Sequence, residues 1–140
     1  MRPKKVILCV DDNAQDLSVL KFLLTTHGYM VYGAATAEEA IAYFGDKPMD
    51  LVLVKYAMPK LDGNQLVKKL KTMAAHVPMV LLGDMQQLNG QVHAAEALVN
   101  KKTCSTMELL DLIKRMSARK RGPRKGIQRQ AAADSLAVAS

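Results

Sequence analysis

Short apolar runs separated by longer mixed segments constrain the fold of this chain most. Three of them, Val6–Val10, Leu51–Val54 and Met79–Leu82, are unbroken runs of four or five apolar residues. Such runs are typical of parallel strands covered on both faces, because polar residues alternate along a strand only where one face meets water. Two shorter runs, Met30–Tyr32 and Ala97–Val99, complete five predicted strands.

The segments between these strands predict helices. They have between 14 and 24 residues, which is enough for a crossover helix and too many for a hairpin. Asn13 is a predicted N-cap, and Thr36 and Ser105 each open a capping box. The clearest predicted helices cover residues 14–26, 36–44, 64–73 and 105–116, with Gly45 closing the second, and a short helix is expected within 85–96. Five repeats of strand and helix predict an α/β fold with a doubly wound five-stranded parallel sheet.

The net charge of +7 is concentrated towards the carboxyl terminus. Residues 1–116 contain 14 Lys and Arg against 12 Asp and Glu, a net charge of +2, whereas residues 117–140 contain 6 against 1, a net charge of +5. We predict a domain over residues 1–117 and a basic, disordered tail over residues 118–140. Candidate contacts to nucleic-acid phosphates in the tail are Arg119, Lys120, Arg121, Arg124 and Lys125. The cluster has no aromatic residue to stack on a base, so a tail that only adds solubility is the alternative.

The sequence predicts a cytoplasmic protein with no membrane partner. Its longest apolar runs have about five residues, far short of the roughly 20 that a bilayer-spanning helix needs. The first such run is too short for a signal peptide, and Asp11 and Asp12 follow it in place of a small-residue cleavage site. Cys9 and Cys104 match no metal-binding or redox spacing.

A lysine, Lys55, stands where the third predicted strand ends. A charge at the end of a buried strand must be solvated, paired or used in chemistry, because burying it alone is costly. In open α/β sheets the carboxyl ends of the strands are also where ligands bind. Lys68, Lys69 and Lys71, in contrast, are expected to form a solvated helix face.

Three motifs resemble the receiver domain of bacterial two-component response regulators. They are Val10-Asp11-Asp12-Asn13 after the first strand, Met58-Pro59-x-x-Asp62-Gly63 after the third, and Val77-Pro78 before the fourth. The resemblance covers about residues 4–117 and implies a flavodoxin-like (βα)5 sandwich. It also implies transfer of a phosphoryl group from a histidine kinase to an aspartate, assisted by Mg²⁺.

When the positions of the family site are matched to this sequence, the metal-binding pair is present and the phosphoacceptor aspartate is not. Asp11 and Asp12 match the acidic pair that binds Mg²⁺ in the family. The phosphoacceptor position, three residues before Met58, is Lys55. An amine cannot form the acyl phosphate, so the resemblance indicates an atypical receiver, or pseudo-receiver, that is not phosphorylated at the usual site.

Two further positions of the family site are also changed. The position of the phosphoryl-binding Ser or Thr, five residues after Pro78, is Gly83, and the next residue is Asp84. The family lysine best matches Lys102, with Lys101 as the alternative.

Charge balance suggests what Lys55 does. Asp11, Asp12 and Asp84 are expected at one edge of the sheet, where like charges repel unless a cation offsets them. We predict that the Lys55 ammonium replaces Mg²⁺ permanently, so the domain needs no cofactor and binds Mg²⁺ weakly or not at all. In the alternative reading Lys55 extends into solvent and Asp84 only caps the next helix. An amine nucleophile at Lys55 is disfavoured, because nearby carboxylates raise its pKa.

The functional prediction is a stand-alone signalling module of a two-component or phosphorelay system that is not an enzyme. Its partner is a kinase, another regulator or a second copy. The expected contact face combines the fourth helix, fifth strand and fifth helix, over residues 91–101 and 109–116. The alternative is a nucleic-acid-associated regulator that uses the basic tail.

Overall fold

Seven strands and four helices make up the described part of the protein. A computed structural model describes residues 4–59, 61–84, 94–101 and 103–118. The strands are β1 Val6–Val10, β2 Met30–Ala34, β3 Leu51–Lys55, β4 Ala57–Met58, β5 Leu61–Asp62, β6 Met79–Gly83 and β7 Ala97–Asn100. The helices are α1 Ala14–Thr26, α2 Ala37–Asp46, α3 Gly63–Met73 and α4 Thr106–Ser117.

Five of the strands form one parallel sheet in the order β2-β1-β3-β6-β7. This is the doubly wound arrangement predicted from the sequence, in which the strand order reverses between β1 and β3. The five predicted strands are confirmed, and four of them extend one or two residues beyond their apolar runs. The reversal matters for function, because ligands in such sheets bind outside the strand ends at this switch point.

The sheet divides the interior into two apolar layers. Leu8, Val52 and Leu81 face the layer that includes side chains of α2 and α3. Ile7 and Leu53 face the opposite layer, which includes side chains of α1 and α4. Alternate residues of each central strand thus enter different layers, so the strands must be apolar throughout.

Three helix starts follow the capping signals in the sequence. The side chain of Asn13 accepts a hydrogen bond from the backbone N–H of Asp16, and that of Thr36 accepts one from Glu39. Ser105 and Glu108 form a reciprocal capping box at the start of α4. Each bond satisfies a backbone donor that has no partner inside the helix.

The prediction that Gly45 ends the second helix is wrong. Helix α2 continues to Asp46, and the backbone N–H of Lys47 still bonds the Tyr43 carbonyl at 3.0 Å. The stop comes from Pro48, because proline disfavours the helical conformation of the residue before it. Lys47 is accordingly extended, with φ −131° and ψ 145°.

The helix expected within residues 85–96 lies largely outside the described residues, and residues 94–96 are not helical. The tail predicted over residues 118–140 lies outside them from residue 119 onward. Among the helices that the structure describes, none has the length and apolar composition to cross a bilayer.

A small hairpin that the sequence did not predict joins β3 to α3. Strands β4 and β5 pair antiparallel, which folds the chain back so that Gly63 meets the end of β3. The Gly63 N–H donates to the Tyr56 carbonyl at 2.7 Å. A Cβ atom on Gly63 would overlap the Lys55 carbonyl oxygen and stand 2.8 Å from the Tyr56 Cα. Glycine is required here by close backbone approach.

We predict that Gly63→Ala destabilises the domain by about 2 kcal/mol or more, because rigid backbone atoms must move to admit the methyl group. Gly45→Ala is the matched control, since its Cβ would meet only the flexible end of Met73 at 3.4 Å. Removing glycine from a helix interior should instead stabilise by roughly 0.5–1 kcal/mol. Urea unfolding of both variants measures the difference, and equal effects would contradict the argument.

Candidate functional site

The candidate site lies at the carboxyl ends of β1 and β3. In the parallel register Val10 is level with Val54, so the residues that follow, Asp11 and Lys55, emerge side by side. The backbone N–H of Asp11 bonds the Ala34 carbonyl at 3.0 Å, which extends the pairing of β1 with β2 by one residue. The backbone pairing of the strands therefore places Asp11 beside Lys55, independently of any side-chain contact.

Lys55 points at the two acidic residues. Its Nζ lies 3.1 Å from Asp12 Oδ1, within hydrogen-bonding distance, and 3.5 Å from Asp11 Oδ1. The Lys55 side chain is 24% exposed, against 8% for Asp11 and 30% for Asp12. The alternative in which Lys55 extends freely into solvent does not describe this structure.

Asp11 is held from both sides. Its Oδ1 accepts a 2.9 Å hydrogen bond from the backbone N–H of Asn13, the N-cap of α1, as well as facing Lys55. A buried carboxylate needs such partners, because leaving it unpaired costs far more than the pair itself contributes.

The pKa of Lys55 is raised above the ordinary lysine value. Burial acts to lower it, but the hydrogen bond to Asp12 and the charges of Asp11 and Asp12 together outweigh that effect. Lys55 is therefore a permanent cation at neutral pH. The same shift disfavours a neutral amine nucleophile, as expected from the sequence.

The residues present do not fit a Mg²⁺ ion. Magnesium requires near-octahedral oxygen ligands at about 2.0–2.1 Å. Here an ammonium group already lies against both carboxylates, and an added divalent cation would be repelled by it. No cluster of three or more His, Cys, Asp and Glu suited to a metal occurs among the described residues.

Gly83 and Asp84 lie at the neighbouring strand end. Gly83 is the last residue of β6, and its carbonyl accepts the backbone N–H of Lys101 at 3.0 Å. In the register of β3 with β6, Lys55 is level with Leu82. Asp84 therefore stands two residues beyond that level, roughly 7 Å along the strand direction. The predicted contact of Lys55 with Asp84 stays a prediction.

Other predicted site residues lie outside the described part of the chain. These are Lys102 and the tail residues Arg119, Lys120, Arg121, Arg124 and Lys125. Lys101 is exposed at the end of β7. The assignment of the family lysine, the tail contacts and the partner face over residues 91–101 and 109–116 all stay predictions.

Lys71 does not belong to a solvated helix face, contrary to the sequence prediction. Its ammonium contacts Glu96 Oε2 at 2.6 Å and the carbonyl oxygens of Val77 at 2.7 Å and Ala75 at 3.1 Å. Glu96 also accepts the backbone N–H of Met79 at 2.7 Å. The group ties the end of α3 to the starts of β6 and β7.

Comparison with known proteins provides evidence for the family of this chain. The response regulator receiver domain model matches residues 7–115. The response regulator GtcR of Aneurinibacillus migulanus is 32% identical over 101 residues, which are 69% of this chain and 41% of the relative. The transcriptional regulatory protein ZraR of Salmonella typhimurium is 31% identical over 97 residues, 69% of this chain and 22% of the relative. The chain thus spans about two fifths or less of the length of these relatives.

Solved structures agree on the fold. A CheY-like receiver domain protein from Methanospirillum hungatei superposes with a TM-score of 0.72 at 27% identity, covering 82% of this chain and 94% of that one. The response regulator TrrA of Thermotoga maritima, determined in complex with Mg²⁺-BeF, gives 0.73 at 27% identity, covering 80% and 98%. With the sheet order, the site at its switch point and the family match in agreement, the chain belongs to the response regulator receiver domain family of two-component signalling.

Proposed function

We propose that this receiver domain signals without phosphorylation at the usual position and acts through contact with a protein partner. The observation that carries the proposal is the Lys55 ammonium, 3.1 Å and 3.5 Å from the Asp12 and Asp11 carboxylates. It stands where the family resemblance puts the phosphoacceptor. The proposal assigns the domain no reaction and no cofactor.

The chemistry at this position supports that reading. Phosphoryl transfer to a receiver needs a carboxylate nucleophile, a divalent cation and donors for the developing charge. The side chain at position 55 is a protonated amine, which has no lone pair to attack phosphorus. The side chain at position 83 is a hydrogen atom, which donates nothing.

The lysine also removes the reason for a metal to bind. A divalent cation would normally offset the repulsion between Asp11 and Asp12, and the single charge of the ammonium now offsets part of it from within the chain. Because the pKa of Lys55 in the folded state is raised, its contribution to stability is complete below the unfolded-state pKa. It is lost only as the pH rises through the folded-state pKa, in the strongly alkaline range. At physiological pH Lys55 is therefore charged.

The first test is phosphorylation itself. The protein is incubated with acetyl phosphate and millimolar Mg²⁺ and analysed by intact mass, beside a receiver domain that has aspartate at this position. We expect the control to gain one phosphoryl group and this protein to gain none. Uptake of one hydroxylamine-sensitive phosphoryl group by this protein would contradict the proposal.

The second test is whether removing the lysine opens the site to metal. Lys55→Ala should lower the free energy of unfolding by about 1–3 kcal/mol at neutral pH, because the buried Asp11 loses its charged partner. Millimolar Mg²⁺ should then recover about 1 kcal/mol in this variant, by binding only the folded state, and leave the wild type unchanged.

Two variants control this experiment. Lys71→Ala also deletes a paired lysine but leaves Lys55 in place, so its stability should not respond to Mg²⁺. Lys55→Ala combined with Asp12→Asn should lose the metal response. A saturable Mg²⁺ effect on the wild type, abolished by Asp12→Asn, would show that Lys55 does not replace the metal.

The charge of the tail favours a second candidate function, association with nucleic acid. Residues 117–140 have a net charge of +5. If these residues contact phosphates, gel-shift affinity for duplex DNA should fall more than about tenfold as salt rises from about 50 to about 200 mM. Deleting residues 119–140 should abolish binding. A shift that survives the deletion, or no shift at low salt, would refute this candidate.

A further inference from the structure

A groove of about 260 Å³, which we call the α1–α4 groove, lies between the first and last described helices. Its apolar walls come from both helices and from the ends of two strands: Val19, Leu23, Leu82, Val99 and Leu109. Asp11, Asp16 and Lys101 also line it, so charged groups stand directly beside the apolar surface. An occupant of this groove must therefore match both kinds of surface.

The charge around the groove is negative. Asp11 and Asp16 line it, and Asp12 shares the Lys55 ammonium with Asp11. Against these three carboxylates stand two cations, Lys55 and Lys101, which leaves a net charge of −1. The balance favours a positively charged occupant.

Two of these carboxylates have oxygen atoms that are open to a donor. Both contacts of Asp11, with Lys55 and with the Asn13 N–H, are made by Oδ1, and the contacts of the described residues leave Oδ2 without a partner. The Asp11 side chain is only 8% exposed, and polar atoms so buried are normally hydrogen-bonded. Asp16 is exposed and takes part in none of the ion pairs among the described residues.

The chain itself supplies a positively charged segment immediately after α4. Residues 119–129, which we call the basic segment, contain six Arg and Lys residues and no Asp or Glu. Arg and Lys side chains combine long apolar stems with charged heads, so they can lie along an apolar wall while the head pairs with a carboxylate. The chemistry of the segment thus matches both surfaces of the groove.

The basic segment is long enough to reach the groove. Helix α4 follows a parallel strand, so it runs from the carboxyl edge of the sheet to the opposite edge. Thr106, at its start, lines the groove, and 12 residues at about 1.5 Å each put its end about 18 Å away. An extended chain covers about 3.3 Å per residue, so six residues after Ala118 span about 20 Å. Arg124, Lys125 and Arg129 are therefore within reach of Asp16.

We propose that the basic segment folds back and occupies the α1–α4 groove of its own chain. Its charged heads face Asp16 and Asp11 Oδ2, and their stems cover the apolar walls. This contact needs no large interface, because the covalent tether holds the segment near the groove at an effective concentration in the millimolar range. The contact does not rest on the proposed function. A partner that uses the groove must first displace the segment.

Alkylation of Cys104 by iodoacetamide in the full chain tests the contact. Cys104 lines the groove and is partly exposed, whereas Cys9 is buried. The tail variant combines Arg124→Gln, Lys125→Gln and Arg129→Gln. We expect it to be alkylated at least about threefold faster than the wild type, since losing exposed ion pairs changes an equilibrium by this order. Removing positive charge would by itself make the thiol less acidic and slow the reaction, so a faster rate reports exposure.

Asp16→Asn completes a double-mutant cycle with the tail variant. It should speed alkylation by a similar factor in the wild type and add little in the tail variant, because both changes break the same contact. The cycle removes any direct effect of the Asp16 charge on the thiol. Glu38→Gln is the matched control, since Glu38 is also an exposed acid in the first turn of a helix but does not line the groove. Its rate should equal that of the wild type.

Four results would overturn the proposal. They are equal rates in the wild type and the tail variant, additive effects of Asp16→Asn and the tail variant, and faster alkylation in Glu38→Gln. The fourth is a wild-type rate that falls as the protein concentration rises, because it would show that a second molecule covers the groove. Docking within one chain gives a rate that is independent of concentration.

Discussion

The register of β1 against β3 is the constraint on which the rest of the site depends. Pairing Val10 with Val54 in a parallel sheet brings the next residues of both strands to the same edge. Asp11 and Lys55 are 44 positions apart in the chain and become neighbours for this reason alone. A slip of one residue would turn every side chain of β3 to the other layer, so the apolar packing that fixes the sheet also fixes the ion pair.

A cation that is part of the chain behaves differently from one that exchanges with solvent. A bound metal can leave, and its site can accept a phosphoryl group that changes the local charge. The Lys55 ammonium cannot leave, because it is covalently attached, and its raised pKa keeps it charged. The charge balance at this edge is therefore built in during folding. Under the proposed function, a signal therefore reaches this domain through a different surface.

The sequence was sufficient to predict features that depend on neighbouring residues. The strands follow from apolar runs, the caps at Asn13, Thr36 and Ser105 from polar residues at helix starts, and the place of Lys55 at the end of β3 from the apolar run before it. The end of α2 was also encoded locally, but Pro48 was a stronger signal than Gly45.

Features that depend on distant residues could not be predicted in this way. Lys71 pairs with Glu96 across 25 residues, and only the packing of α3 beside β6 and β7 brings them together. The groove between α1 and α4 likewise belongs to no single stretch of sequence.

Asp11 belongs both to the Lys55 site and to the groove between α1 and α4. Its carboxylate faces Lys55 at the edge of the sheet, and the same residue lines the α1–α4 groove. Because Lys55 and the Asn13 N–H both hold that carboxylate, one end of the groove is ordered without any ligand. A surface that is already ordered loses less conformational entropy when a partner docks. With Lys55 held against both carboxylates, the site is suited to contact by shape, which is the mode of action that the proposed function requires.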